Sequence, residues 1–172
     1  MYCKSVNADE LDKGTQMEKT PVVDLLAFAK GIAERVEAEA RRVQVPVAVC
    51  VIDSHGNTIL QHRMSGAPVF SIELSERKAY TSALVRMRTA EILPLVQPGQ
   101  PLFPLLSQSK YCAMGGGAPL TDDDRVVAGV GVSGGTVEED VAILETAIRD
   151  DQRAPPDHID LSSASAGSMP AE

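Results

Sequence analysis

The 172-residue sequence contains no tryptophan, and aromatic residues make up only 3% of it. Its formal net charge is −8. Proteins that bind nucleic acids usually carry basic surfaces, and many carry aromatic side chains that stack on bases. We therefore expect no nucleic-acid partner. The chain also lacks an uncharged apolar run of about 18 residues, the length that a membrane-spanning helix needs. We therefore expect no membrane partner either.

Cysteine is scarce as well. Cys3, Cys50 and Cys112 are widely spaced, form no C-x-x-C pair and have no histidine at a zinc-ligand spacing. Residues 1–20 mix lysines with acidic residues and contain no apolar segment of the kind found in secretory signals. The sequence thus predicts a cytoplasmic protein without a metal site, in which Cys50 and Cys112 act as small buried apolar residues.

The chain length favours one domain with a core of its own. After Ile148 the sequence becomes rich in charged residues and proline, and it then continues with serine, alanine and glycine. Segments of that composition bury too little apolar surface to offset their ordering entropy. We predict an N-terminal tail over residues 1–20, a single domain over 21–151 and a flexible C-terminal tail over 152–172.

Hydrophobic periodicity predicts two helix-and-hairpin halves in a mixed, antiparallel domain. A long helix is expected to start at Thr20-Pro21, which suit the cap and first helical position. The last helix should start with a capping box of Thr136 and Glu139. The predicted elements in chain order are the first helix to about Val43, strands at Val47–Ile52 and Thr58–Met64, a helix at Val69–Arg88, strands from Tyr111–Ala113 into the glycines and at Val126–Val132, and the last helix.

The second predicted helix poses a problem of charge. Its apolar arc, which includes Ala79 and Ala83, also contains Glu73 and Glu76, whereas Lys78 falls on the opposite side. Unpaired charges in a buried stripe are costly. Two interpretations stay open: the arc faces an interface or a site, or the assumed helical register is wrong.

Two glycine motifs follow in the second half. Gly129, Gly131 and Gly134 match G-x-G-x-x-G between a strand and a helix, but the helix after them begins with acidic residues that would repel a pyrophosphate. We interpret these glycines as small residues packed under a helix. The run Gly115–Gly117 is more informative, since three successive glycines indicate either a tight bend or backbone amides that a ligand approaches.

The sequence carries six groups of residues in this order: Asp53 and Gly56; Arg63, Met64, Gly66 and Ala67; Lys78 to Thr81; Gln97 to Gly99; Gly115 to Leu120; and Gly131 to Asp140. Taken together, they resemble the GlcG/HbpS family, a group described as haem-binding or haem-degrading that also supplies the C-terminal domain of PduO-type cobalamin adenosyltransferases. The resemblance covers about Val22 to Ile148. It implies an α+β fold, namely a profilin-like three-layer α/β/α sandwich around a five-stranded antiparallel sheet. It also implies that the protein assembles into homo-oligomers. A fifth strand would have to come from Leu105–Ser109 or elsewhere.

The favoured function is binding of a small ligand, with haem or a related tetrapyrrole as the class that the resemblance implies. A haem site needs an axial ligand and an apolar slot, and His62 shares a strand face with Met64, whereas His55 lies in a turn. We expect the pocket near the glycine run and the start of the second helix. The candidate ligand-binding residues are His62, Thr81, Gly115, Gly116, Gly117 and Pro119.

The alternative is a cofactor-free catabolic enzyme, a lyase, isomerase or hydrolase, acting on a small carboxylated substrate. Arg63 would orient the carboxylate, and Lys78 or Glu76 would move a proton. The same cations are equally suited to structural ion pairs with Asp53 or Glu76. A purely structural assembly protein is the third possibility, and the sequence alone leaves it undecided whether the protein is an enzyme.

Overall fold

A computed structural model describes residues 24–122 and 124–151. Within them, a four-stranded antiparallel sheet combines with four α-helices. The strand order across the sheet is β2-β1-β4-β3, so β2 and β3 form its two edges. The elements are α1 (Leu25–Arg42), β1 (Ala48–Asp53), β2 (Thr58–Arg63), α2 (Ser71–Val85), α3 (Thr89–Ile92), β3 (Gly117–Asp122), β4 (Arg125–Ser133) and α4 (Val137–Asp151), with 3-10 turns at Leu93–Val96 and Phe103–Ser107.

Helix α1 begins at Leu25 because the carboxylate of Asp24 accepts hydrogen bonds from the backbone N–H groups of Leu26 and Ala27. The predicted start at Thr20-Pro21 lies outside the described residues, as do both predicted tails. At the other end of the domain, the capping box is confirmed. The Thr136 N–H donates to Glu139 Oε2 at 2.8 Å, and the Glu139 N–H donates to Thr136 Oγ1 at 3.2 Å.

The larger core lies on one face of the sheet, between the strands and the helices α1 and α4. Alternate residues of each strand point into it, as the two-residue period of a strand requires. Its fully buried members include Val49 and Val51 from β1, Val130 from β4, Ile32 from α1 and Leu144 from α4. This apolar cluster fixes how α1 and α4 lie on the sheet.

Helix α2 covers the opposite face, and it does so at unusually short range. A Cβ atom placed on Gly129 would lie 2.4 Å from the backbone oxygen of Ala79, and one placed on Gly131 would lie 2.1 Å from that of Ser75. Any side chain at either position would collide with the helix backbone. The interpretation of these glycines as packing residues is therefore confirmed.

The glycine contacts also explain why the predicted register of α2 is wrong. Because the helix sits directly on β4, its buried stripe consists of small and polar residues rather than large apolar ones. Glu73 and Glu76 are exposed, whereas Lys78 is fully buried. The buried residues of α2 are Ser71, Ser75, Lys78, Ala79, Thr81, Ser82 and Ala83.

Two strand predictions also need correction. Residues Tyr111–Ala113 form no strand, and β3 begins only at Gly117. The predicted fifth strand at Leu105–Ser109 is mostly a 3-10 turn, since Pro104 lies at its start and Ser107 Oγ donates to the Pro104 carbonyl at 2.7 Å. The sheet of the described residues therefore has four strands rather than five.

Candidate functional site

Lys78 and Asp140 form a buried ion pair that joins three elements. Lys78 Nζ donates to Asp140 Oδ2 at 2.7 Å and to the Val132 carbonyl at 2.8 Å. The Lys78 side chain is 0% exposed and that of Asp140 is 3% exposed. The pair connects the middle of α2 with the end of β4 and the first turn of α4. Lys78 thus pairs with neither of the partners considered from the sequence, Asp53 and Glu76.

The Asp140 carboxylate is held by more than the lysine. Its Oδ1 atom accepts a hydrogen bond of 3.0 Å from the Gly135 N–H, just before α4. Burial raises the pKa of Asp140 above its ordinary value, and the hydrogen bond and charge of Lys78 oppose this change without cancelling it. Sequence analysis included Asp140 in the last motif of the family resemblance but did not predict its pairing with Lys78.

The glycine run Gly115–Gly117 lies against this ion pair. Gly116 has φ +105°, a conformation that side chains disfavour, and a Cβ atom there would lie 3.0 Å from Lys78 Nζ. A Cβ atom on Gly115 would meet Val141 at 2.8 Å, and one on Gly117 would meet Thr89 at 2.6 Å. The contacts favour a packing role for the run, and its part in ligand binding stays a prediction.

Two threonines accept hydrogen bonds from the chain around the glycine run. Thr81 Oγ1 accepts a hydrogen bond of 2.8 Å from the Cys112 N–H, and Thr89 Oγ1 accepts one of 2.9 Å from the Gly117 N–H. Both side chains are fully buried. Pro119 lies nearby on the edge strand β3, opposite Gly129, where a residue without an N–H group is tolerated. Thr81 and Pro119 thus lie in the same region as the glycine run.

Arg63, Lys78 and Glu76 do not converge. Arg63 is exposed on the edge strand β2 and donates to the Ala67 carbonyl at 3.2 Å. Glu76 is exposed on α2 and lines a cavity of about 210 Å³ together with Tyr80 and Lys110. Since Lys78 is fully buried and already paired, these three side chains occupy three separate environments.

A different set of side chains surrounds His62, on β2. An open groove of about 610 Å³ runs between α1 and this edge of the sheet. His62 Nδ1 lies 2.9 Å from Glu37 Oε1, and Glu37 Oε2 lies 2.8 Å from the Arg41 guanidinium. The residues lining the groove are Glu37, Arg41, Gln61, His62, Arg63, Met64 and Ser65.

The width of the sheet separates His62 from the other predicted ligand residues. His62 is on the edge strand β2, whereas the glycine run leads into β3 at the opposite edge. Glu37 and Arg41 were missed by sequence analysis. A signal was available, since the two residues are one turn apart on an amphipathic helix, but the sequence does not show that this turn faces His62.

Comparison with known proteins identifies the family. The model for "Haem degrading protein HbpS-like" matches residues 26–149. The chain belongs to the HbpS-like family. An uncharacterized 15.0 kDa protein from the dhaT-dhaS intergenic region of Citrobacter freundii is 46% identical over 125 residues, which cover 72% of this chain and 88% of that protein.

Two further relatives carry names that mention a function. The corrinoid adenosyltransferase PduO of Salmonella typhimurium strain LT2 is 39% identical over 137 residues, which cover 76% of this chain but only 40% of PduO. A crystal structure described as a PduOC:heme complex is 35% identical, with a TM-score of 0.69, and the match covers 74% of this chain and 93% of that one. The resemblance to the GlcG/HbpS family is therefore confirmed.

None of the helices within 24–122 and 124–151 combines the length and apolarity needed to cross a bilayer.

Proposed function

We propose that this protein binds haem or a related tetrapyrrole in the groove between α1 and β2. The observation that carries the proposal is the state of His62. Its imidazole lines the groove and is 46% exposed, and its Nδ1 atom is hydrogen-bonded to Glu37. No hydrogen bond to Nε2 is found within the described residues, which leaves this nitrogen available to a metal centre. The haem complex of the PduOC relative supports the ligand class.

The side chains around His62 fit a haem group. Met64 follows on the same face of the chain and is half-buried against the larger core. Imidazole and thioether groups are both axial ligands of haem iron in proteins. Arg63 also lines the groove and uses one N–H for the Ala67 carbonyl, which leaves further donors for a carboxylate. Iron and a carboxylate arm would thus each find a suitable group, and Met64 would give the ring an apolar contact, while the other residues that line the groove are polar or charged.

In this proposal each residue has a defined task. His62 would offer Nε2 to the iron, Arg63 would bind a carboxylate arm, and Met64 would contact the ring. Bound haem would supply a redox-active iron, whose reactivity depends on the polarity and access of its surroundings. The structure supports binding and orientation by these side chains.

A haemin titration followed by absorbance tests the proposal. We expect a saturable shift of the Soret band at one equivalent per chain, and loss of that shift in His62→Ala. His55→Ala is the matched control, because His55 is exposed in the turn between β1 and β2 and does not line the groove. Saturable binding that survives His62→Ala would contradict the proposed site, and non-saturating binding would contradict the proposed function.

Several finer predictions stand as proposals beside this one. They are the profilin-like layering, the homo-oligomer, the cytoplasmic location and the catabolic role. Exposed apolar side chains support self-association, since Val69 is 75% exposed and Phe70 is 63% exposed just before α2. Light scattering coupled to size-exclusion chromatography measures the mass in solution, and a monomeric mass would contradict the homo-oligomer.

A further inference from the structure

We infer that Glu37 is a positioning residue, which fixes the His62 imidazole in the tautomer that presents Nε2 to the groove, and that Arg41 holds the Glu37 carboxylate for this purpose. The inference rests on the proposed function only for the identity of the ligand. The arrangement itself belongs to the ligand-free protein.

The hydrogen bonds determine where the imidazole proton lies. An ionised carboxylate only accepts hydrogen bonds, and a neutral imidazole has one N–H donor and one acceptor nitrogen. When the imidazole is neutral, the 2.9 Å contact between Nδ1 and Glu37 Oε1 places the proton on Nδ1 and leaves the lone pair on Nε2. Histidines that bind metals commonly donate their other ring N–H to a carboxylate in this way.

Arg41 restrains the carboxylate from the other side. Its guanidinium donates to Glu37 Oε2 at 2.8 Å, while Glu37 Oε1 is used by His62. The Glu37 side chain is 19% exposed, less than either partner, since Arg41 is 62% exposed and His62 46% exposed. The least exposed of the three groups is therefore the one that bonds to both others.

The core places the two elements before any ligand binds. Val36 and Ala40 of α1 are fully buried, and Glu37 and Arg41 directly follow them in the chain, so both lie at the margin of the core. His62 pairs in register with Val49, and Val49 belongs to the same cluster as the buried face of α1. A site organised by packed elements holds its ligating groups more rigidly than a loop does.

Nitrogen NMR of the ligand-free protein tests the inference directly. Long-range proton–nitrogen spectra at pH 8 distinguish the two imidazole tautomers, and His62→Ala identifies the His62 signals. We expect the Nδ1–H tautomer in the wild type. In Glu37→Gln an NH2 group, which can only donate, replaces one of the two carboxylate oxygens. When the amide oxygen faces Arg41, this NH2 group faces His62 Nδ1 and favours the Nε2–H form, so we expect the Nδ1–H tautomer to lose its dominance. Glu34→Gln is the matched control, because it removes the same charge from an exposed position on α1.

The haemin titration provides the second measurement. If the proposed function holds, Glu37→Gln should weaken haemin binding about 10- to 100-fold, the usual effect of removing a carboxylate behind a metal-binding histidine, and Glu34→Gln should leave it unchanged. Equal melting temperatures of Glu37→Gln and Glu34→Gln would show that both variants keep the fold. An Nε2–H tautomer in the wild type, or the same tautomer in wild type and Glu37→Gln, would overturn the inference even where haemin binds. The expected tautomers without saturable haemin binding would support the inference and contradict only the proposed function.

Discussion

Lys78 donates a hydrogen bond of 2.7 Å to Asp140 across 62 positions of sequence, and both side chains are shielded from solvent. A buried pair of this kind gains little over well-packed apolar residues, because removing two charges from water is costly. Losing one partner is different, since it leaves an uncompensated charge in the interior. The pair therefore makes the junction of α2, β4 and α4 sensitive to either residue.

Replacement of Lys78 by methionine should destabilise the protein strongly. The buried Asp140 carboxylate would lose its cation, and breaking a buried ion pair from one side costs about 3 to 5 kcal/mol. Urea denaturation followed by circular dichroism measures this change in the free energy of unfolding.

Two further variants serve as controls for that measurement. Lys78→Met combined with Asp140→Leu should recover part of the loss, since no unpaired charge then stays buried. Arg77→Ala removes an exposed helix pair with Glu73 and should cost no more than about 1 kcal/mol. If the single Lys78 variant were as stable as the wild type, the described burial of the pair would be wrong.

The pKa values of Asp140 and Asp53 should be shifted in opposite directions. Burial raises the pKa of Asp140, with Lys78 opposing. Burial also tends to raise the pKa of Asp53, but hydrogen bonds from the N–H groups of Asn57 and His55 outweigh it, and the net pKa is lowered. Carboxyl carbon NMR during acid titration should show Asp140 protonating at a higher pH than Asp53.

The effect on stability follows from these directions. The pKa of Asp140 is higher in the folded protein than in the unfolded chain, so its contribution is fully present below the unfolded value and is lost as the pH rises through the folded value. The pKa of Asp53 is lower in the folded protein than in the unfolded chain. Its contribution to stability is therefore fully present above the unfolded pKa and is lost as the pH falls through the folded pKa. Asp53 protonating before Asp140 during acidification would contradict at least one of the two pKa directions.

Local sequence signals predicted much of the fold because each has a local physical cause. A continuous apolar run places β1, a two-residue period places β2, and a 3.6-residue period places α1. The capping box of Thr136 and Glu139 depends only on neighbouring residues. The register of α2 has no such local cause. It depends on Gly129 and Gly131, which lie more than forty residues later and let the helix backbone rest directly on β4.

The candidate site was less predictable for the same reason. His62 and Met64 were found from strand alternation, but their neighbours Glu37 and Arg41 come from α1, and only the packing of that helix beside β2 brings them together. Asp140, the partner of Lys78, was missed for the same reason, since only the packing of α4 beside α2 and β4 brings the two side chains together. Helix periodicity shows which residues share a face and does not show which face meets which strand.

Gly131→Ala should destabilise the protein far more than Gly31→Ala. A Cβ atom at position 131 would lie 2.1 Å from the Ser75 backbone oxygen, which cannot move without displacing α2. Overpacking typically costs about 1 to 3 kcal/mol, and a backbone clash belongs at the upper end or beyond. At Gly31 the new methyl meets only the end of the Arg35 side chain at 3.3 Å, and alanine inside a helix gains about 0.5 to 1 kcal/mol over glycine. Thermal and urea unfolding of the two variants measure this contrast, and equal stabilities would contradict the close packing of α2 on β4.

Cys50 should resist alkylation in the folded protein. It is fully buried on β1 against Ala79, and burial, together with the charge of Glu76, raises the pKa of its thiol to about 12. Because the thiolate is the reactive form, almost none is available at pH 8. Mass spectrometry after iodoacetamide treatment should find Cys50 unmodified in native protein and modified in urea, where the thiol regains an ordinary pKa. Rapid modification of Cys50 under native conditions would mean that α2 separates from the sheet often enough to expose β1, which is incompatible with the contacts of Gly129 and Gly131.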